Sequence, residues 1–544
     1  MNFNRLTREP KQRSDAYKYR EKGDYRRAIT CFQNHLKTHP KDLVALLDLG
    51  HCLMQLENFA EAAKAYAKII EHDPKHVNAL SNLGGALYRS GKPGDAKAIL
   101  EYALELDPKC LYAHINLGGV LQALGDLQGN LNSALSAVSI DPTSALAFNN
   151  LGSALTDLAM FHDAKHAYET AQMLQPNQVD TLINLAAVEA KLGSSEQAIE
   201  MYEKTLRILP VREKHRREAV EFFASFEYLK LGNLKKGWDY YDGGFSPMVP
   251  LAGARTPKRV FDVPRWRGEP LHGKRLLVWR EQGLGDEILF GSCLPDLGEL
   301  GAEKIIVECD PRLVSIFQRS FPEFTVRSQI YYSNNFRSPN NDFDYEIPMG
   351  SLMRRFRSCI DDFARSGPYL VASDELVADF QSRLAEYRDK PLVGICWRSG
   401  KLSPVRNLSY TVLEDWLPIA ESGKVNIVSL QYGEAEAEIA DAEQKFGIKI
   451  IRWSDFDQKN ELDKVFALMS CLDYAISVNT APLRMASAIG IPVISVEGSS
   501  WTQLGTNEST SIWFKNNTRL QVGNGKNLCD YTPGLAAVVD SFLR

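Results

Sequence analysis

Prolines stand at positions 40, 74, 108, 142, 176 and 210, each 34 residues from the last, and three of them follow an aspartate, at Asp73, Asp107 and Asp141. A fixed period of this length calls for a structural unit that repeats and buries its apolar surface against its neighbours. Reading back from Pro74, the positions Leu49, Gly50, Ala62 and Tyr66 recur as Leu83, Gly84, Ala96 and Leu100, as Leu117, Gly118, Asn130 and Ala134, and as Leu151, Gly152, Ala164 and Tyr168. The small residues fall where the two helices of a hairpin cross closely, and each proline follows a second helix and stops it. The reading is six helical hairpins within residues 1–245, the last stretch, Arg216 to Phe245 with Leu231, Gly232 and Trp238, being a degenerate seventh copy that caps the stack.

The period is the tetratricopeptide signature, and stacked hairpins of this kind curve into a superhelix with a concave binding face. Just before the small-residue site of successive repeats stand Asn82, Asn116, Asn150 and Asn184, again 34 apart. An amide offers both donor and acceptor, so a column of them can grip an extended acceptor by its main chain, or equally hold neighbouring helices together. The O-linked N-acetylglucosamine transferases, whose repeats this half resembles, use such a ladder on the acceptor.

At 544 residues the chain exceeds what one core accommodates, so two or three units are expected. The 63 basic and 68 acidic residues leave a net charge of -5, which provides no general attraction for nucleic acid or anionic membrane. No signal-peptide pattern opens the chain and no stretch of about 18 apolar residues interrupts it, so no membrane span is expected. The 9 cysteines are scattered without paired spacing, which argues against a disulfide framework or a zinc site and for a reducing cytoplasm.

From Lys274 the helical period gives way to short apolar runs separated by amphipathic stretches, the mark of a parallel α/β sheet. Residues 246–273, with Pro247, Pro250, Pro257, Pro264 and Pro270, read as a linker. One lobe is expected over 274–388, with strands at 275–279, 304–309 and 345–349, and a second over 389–544, with strands at 391–397, 425–431, 449–453, 474–479 and 492–498. Such lobes place ligands at the carboxyl ends of their strands.

Three stretches carry a resemblance: REQGLGDEILF at 280–290, WRSGKLSPVRNLSYT at 397–411 with SLQYGE at 429–434, and SVNTAPLRMASAIGIPV at 477–493. They resemble the GT-B catalytic domains of bacterial tetratricopeptide glycosyltransferases, the flagellin protein O-glycosyltransferases in particular, and more distantly heptosyltransferases. The resemblance implies a tetratricopeptide superhelix followed by an α/β GT-B fold of two Rossmann-like lobes. It also implies a nucleotide-sugar donor, a protein acceptor such as flagellin held by the repeats, and no metal.

Gly283 and Gly285 allow backbone to approach a ligand closely, and Asp286 then stands at a helix start facing the interlobe space. In the heptosyltransferase-like enzymes the aspartate of this Gly-Asp pair is the candidate general base, with Glu287 as its neighbouring substitute; alternatively Asp286 only caps the helix. Asn479, Thr480 and Ala481 end a strand and open a helix whose first amides can hold a phosphate. Relatives commonly carry Asp-Thr-Ala and a histidine where this chain has Asn479, Thr480, Ala481 and Arg484. The change favours an anionic group, a diphosphate or the carboxylate of a nonulosonic acid on cytidine monophosphate. Arg398, Ser399 and Gly400 follow another strand, with Lys401 and Arg406 in the next loop, as further positive charge for a leaving phosphate. Gln431 could read base or phosphate, and Asp463 a ribose hydroxyl. Asp361 and Asp362 sit in a helical context and read as surface.

The sequence thus reads as a metal-independent protein O-glycosyltransferase acting on a serine or threonine hydroxyl. The alternatives are a catalytically silent repeat scaffold, or a glycosyltransferase whose acceptor is a glycan or lipid.

Overall fold

A computed structural model of the chain describes residues 11–250, 253–329, 336–337, 342–400, 404–416, 419, 423–498, 500–506 and 508–521. Lys401 and the last residues of the second expected lobe, 522–544, lie outside the described residues. The backbone divides into two compact units, 1–188 and 189–544.

The first unit is a row of antiparallel helical pairs. They are Lys11–Glu21 with Tyr25–Thr38, Leu43–Gln55 with Phe59–His72, Val77–Arg89 with Pro93–Leu106, Leu111–Leu124 with Leu127–Ile140, and Ala145–Asp157 with Phe161–Leu174. Asp24, Asp42, Asp126 and Ser144 each cap a helix by accepting from the backbone N–H three residues on. Ala62, Ala96 and Ala164 are completely buried where the paired helices touch. A Cβ on Gly152 would lie 2.6 Å from the Tyr168 ring, so glycine there is a packing requirement.

The division between units falls between Val188 and Glu189, inside helix Val179–Lys191, whereas the proline-rich connector at 246–273 would put a domain break later. Helices Ser195–Ile208, Lys214–Lys230 and Leu234–Tyr241 belong to the second unit because their apolar faces are buried there. Trp238 donates its indole N–H to the Arg357 carbonyl at 2.8 Å, and Phe222, Phe226, Tyr241, Phe290 and Trp501 form a continuous aromatic cluster around it. Gly505 lies so close to Gly232 that a Cβ on it would stand 2.5 Å from the Gly232 nitrogen.

Two fully parallel sheets make up the rest of this unit, with a two-stranded pair beside the first. The strands are β1 (Arg259–Val260), β2 (Arg275–Trp279), β3 (Lys304–Cys309), β4 (Thr325–Ser328), β5 (Phe336–Arg337), β6 (Tyr345–Pro348), β7 (Leu392–Cys396), β8 (Asn426–Ser429), β9 (Ile450–Ile451), β10 (Tyr474–Val478), β11 (Val493–Glu497) and β12 (Asn517–Gln521). The first sheet has the order β4-β3-β2-β6 and the second β12-β11-β10-β7-β8-β9, while β1 pairs with β5. In each large sheet the chain starts at a central strand, builds outward on one side, then crosses to the other. That reversal opens a crevice at the carboxyl ends of β2 and β6 in the first lobe and of β7 and β10 in the second. Both faces of these strands are covered, which is why β2, β7 and β11 are near-continuous apolar runs. Among the described residues, no helix is long and apolar enough to cross a membrane.

Replacing Gly152 by alanine forces a methyl group into the Tyr168 ring, and a loss of about 1 to 3 kcal/mol is expected in chemical denaturation of the full chain. An unchanged midpoint would mean that this helix crossing tolerates expansion.

Candidate functional site

The segment leaving β2 is Arg280-Glu281-Gln282-Gly283, and it turns sharply into helix Leu284–Gly291. Gln282 takes a φ of 61°, in the left-handed region that side-chain-bearing residues seldom occupy. Its N–H donates to the Thr256 carbonyl at 2.6 Å and its side-chain oxygen accepts from the Tyr241 hydroxyl at 3.0 Å. Glu281 is buried beside it, accepting from both ends of the Arg255 guanidinium and from the Gly350 N–H at 2.9 Å. Arg255, wholly buried, also donates to Asp242 at 2.7 Å and to Ser351 at 3.0 Å. This ion network ties the carboxyl end of β2 to that of β6. Sequence reasoning missed it: Glu281 stands two residues before Gly283, but nothing marked Arg255, in the connector, as its partner.

Gly283 caps the helix and Asp286 is its third residue, its side chain 35% exposed. A Cβ on Gly285 would stand 3.4 Å from the Arg484 Cδ and 3.5 Å from the Ala481 Cα, ordinary contact distances, so this helix lies directly against helix Ala481–Ile489 of the second lobe. Across that approach the Arg484 Nη1 lies 3.8 Å from the Asp286 Oδ1. Arg484 is largely enclosed, and its Nη2 donates to the Asn479 side-chain oxygen at 3.4 Å. Its Nη1 is buried without a hydrogen-bond partner. Thr480 caps this helix, its hydroxyl held by Ser477 at 3.1 Å and the Val478 carbonyl at 3.3 Å. The fold therefore brings Gly283, Gly285, Asp286, Asn479, Thr480, Ala481 and Arg484 together from positions nearly 200 apart in sequence.

Glu287 points the other way. It is fully buried, 2.8 Å from the Arg280 Nε, and accepts the Asp310 N–H at 2.8 Å. Burial pushes its carboxyl up to about 7 against the pull of Arg280. The residue joins the ends of β2 and β3 and faces no open space.

The β7 loop is likewise already engaged. Arg398 donates to Glu438 at 2.8 Å and to the Glu434 carbonyl at 3.0 Å, on and beside helix Glu436–Phe446. Gln431 spends its amide on backbone, accepting from the Trp397 and Arg398 N–H groups at 3.2 and 3.1 Å and donating to the Arg398 and Tyr432 carbonyls at 3.0 and 3.1 Å. A side-chain amide has little capacity beyond that. Ser399 accepts from the Tyr432 hydroxyl at 3.3 Å, and Arg406 is exposed on helix Pro404–Asn407. Asp463 accepts from Ser315 at 2.8 Å and Arg319 at 2.5 Å, tying the two lobes together. Beside Gln431, at the ends of β8 and β9, a cavity of about 1250 Å³ is lined by Tyr432, Glu434, Arg452, Trp453 and Asp457.

Models of the tetratricopeptide repeat match residues 19–87, 81–145 and 145–178. The helical pairs are tetratricopeptide repeats. Protein FlbA of Caulobacter vibrioides is 35% identical to this chain over 300 residues, 53% of this chain and 49% of that protein, so the chain spans about half the length of this relative. Among solved structures, PilW, described as a widely conserved type IV pilus biogenesis factor, is 22% identical with a TM-score of 0.33, covering 36% of this chain and 90% of its own. MamA from Desulfovibrio magneticus is 19% identical with a TM-score of 0.27, covering 30% and 94%.

Within the tetratricopeptide repeats the asparagine column is half-buried, and three of its four amides reach back to the preceding repeat. Asn82 bonds the His51 ring at 3.2 Å, Asn116 donates to the Ser81 carbonyl at 3.0 Å, and Asn184 donates to the Asn149 side chain at 3.2 Å. Asn150 has no such bond among the described residues. Each amide keeps spare capacity for a ligand, but its first task is to join adjacent helices.

Two expectations follow. Replacing Asn82, Asn116, Asn150 and Asn184 together by alanine breaks three inter-repeat bonds worth about 0.5 to 1.5 kcal/mol each, so calorimetry should show melting several degrees lower. Unchanged melting would free the whole column for ligand binding. For Glu287, whose folded value is about 7 against an ordinary 4.5, the folded state holds the proton more tightly than the unfolded chain. The stability it contributes is full below about pH 4.5 and is lost as pH rises through about 7. Relative to wild type, Glu287→Gln should therefore gain on the order of 1 to 3 kcal/mol between about pH 5 and pH 8 in urea denaturation. A pH-independent difference would mean the carboxylate is ionised throughout.

Proposed function

We propose that this chain is a metal-independent glycosyltransferase of GT-B architecture that moves a sugar from a nucleotide donor to a serine or threonine hydroxyl of a protein held by the repeats. Flagellin is the acceptor suggested by the motif resemblance. The observation that carries the reading is the facing pair Asp286 and Arg484, 3.8 Å apart, on helices that leave the switch-point strands of two doubly wound sheets.

Asp286 has the exposure a base needs to meet an acceptor hydroxyl. In this scheme it takes the hydroxyl proton as the oxygen bonds to the anomeric carbon, while the bond from that carbon to the donor phosphate oxygen breaks. Arg484 and the first amides of its helix stabilise the charge left on the phosphate. The donor nucleotide then extends over the second lobe, where the cavity of about 1250 Å³ beside Gln431 has ample room for it. The reading gives Asn479, Thr480 and Ala481 to the donor, with Ser399 and Arg406 at its edge. Arg398 joins the site only if it releases Glu438.

That engagement of Arg398, together with the saturated Gln431 amide, favours a second reading, a repeat scaffold whose α/β half no longer turns over. Nucleotide binding separates the two. A thermal-shift screen of CMP, UDP, ADP and GDP should raise the melting temperature with at least one nucleotide if the protein is an enzyme. Asp286→Asn should then lower transfer by about 10² to 10⁴ while leaving donor binding nearly intact. Arg484→Ala should weaken donor binding by about 1.5 to 3 kcal/mol. Retention of a third or so of wild-type turnover by the asparagine variant would reduce Asp286 to an acidic residue in the first turn of its helix, favourable to the helix dipole and without a part in transfer.

A further inference from the structure

Behind Arg484 lies a small recess of about 30 Å³, with Asn479 and Arg484 of the 477–493 motif on one side. Its walls come from helix Ala481–Ile489, the end of β11 with Glu497, the segment carrying Thr502 and Ser511, and β12 with Asn517 and Arg519. Asn517 and Arg519 are only 5% and 4% exposed. Buried polar atoms normally find partners, yet among the described residues Arg519 Nε and Asn517 Oδ1 in this lining make no hydrogen bond, and Arg484 Nη1 has only the Asp286 carboxylate, at 3.8 Å. The Arg519 guanidinium is anchored through Nη2, which donates to the Thr506 hydroxyl at 3.0 Å and the Glu508 carbonyl at 2.6 Å. That anchoring fixes where the guanidinium stands. The unmet capacity is mixed, two donors and one acceptor. Charge in and beside the recess is balanced, with Arg484 and Arg519 set against Glu497 in the lining and Asp286 at 3.8 Å from Arg484.

A balanced set of unmet donors and acceptors suits a neutral group that both accepts and donates, and fits an isolated anion poorly. The volume holds about two water-sized oxygens. We infer that this recess is a sugar-recognition subsite that takes a pair of neighbouring hydroxyl groups of the donor sugar, with Arg519 and Asn517 as specificity-determining residues. The inference rests on the glycosyltransferase reading, because it is Arg484 that joins the recess to the proposed reaction centre. It departs from an anionic sugar: in this recess Arg519 is a hydroxyl donor, and a carboxylate would meet Glu497 and the Asn517 oxygen.

Titration calorimetry on the full chain tests this, using three nucleotide sugars, each against its bare nucleotide: UDP-N-acetylglucosamine with UDP, GDP-mannose with GDP, and CMP-N-acetylneuraminate with CMP. Whichever nucleotide binds, the gain in affinity from its sugar should fall about tenfold or more in Asn517→Leu, with the affinity for bare nucleotide unchanged. Because the Asn517 Oδ1 has no partner among the described residues, that variant should melt at or above the wild-type temperature, which a structural role would not allow. Should Asn517→Leu fail to fold, Thr502→Val at the half-buried rim supplies the same comparison. A sugar gain that survives both substitutions overturns the subsite and leaves the Asp286 and Arg484 reading standing. A gain confined to CMP-N-acetylneuraminate and lost in Arg484→Ala alone overturns it in favour of a carboxylate. Binding of no nucleotide at all would remove the glycosyltransferase reading, and the subsite with it.

Discussion

The guanidinium of Arg255 is sealed in the second unit, and everything around the candidate site leans on it. A lone buried cation would be untenable, but Glu281 and Asp242 flank it and Ser351 completes its hydrogen bonds. Those partners come from the loop after β2, the short helix Asp242–Phe245 and the turn after β6. Removing one member would strand the others, at a cost of several kcal/mol. The network therefore fixes the backbone at Gln282 in its unusual conformation, and through it the direction in which helix Leu284–Gly291 presents Asp286. The cation also stacks against the Tyr241 and Phe245 rings, so the charge is held in an aromatic box as well as by carboxylates.

With that loop fixed, the two doubly wound sheets supply the rest by topology. Each reverses direction beside its first strand, and at each reversal a helix starts from the crevice. The two helices touch at Gly285, Ala481 and Arg484, which places a carboxylate and a guanidinium 3.8 Å apart without a strong bond between them. A tight salt bridge would have spent both groups on each other. Elsewhere in the unit the charges are spent: Glu287 on Arg280, Arg398 on Glu438 and Asp463 on Arg319. The contrast between engaged and unengaged charges, more than any motif, is what singles out the interlobe contact.

Much of this was readable in advance. The repeats announce themselves because every copy must place small residues at the same helix crossing and a proline after it, and the central strands because both of their faces are covered. The strands β4 and β12 were missed: β4 is half-exposed at a sheet edge, and β12 carries polar Asn517, Thr518 and Arg519 among few apolar residues. Glycines and turn residues at the ends of β2 and β10 marked Asp286 and Arg484. The recess of Asn517 and Arg519 had no such signal, since nothing local distinguishes a buried arginine from a solvated one.

Sequence by itself determined the local periods: 34-residue helical pairs, then alternating strand and helix with glycine and proline at the strand ends. These are short-range matters of steric fit and apolar spacing, and they read directly from residue order. Only the tertiary structure decided which charged side chains face open space and which are consumed. Arg398 and Arg484 look alike on paper, each just beyond a strand. One meets Glu438 on a helix 40 positions away, and the other meets a glycine-lined gap with a carboxylate across it. Partnership between charges depends on distance in space, and the chain positions that supply each partner are set by sheet order and helix packing, which no local pattern encodes.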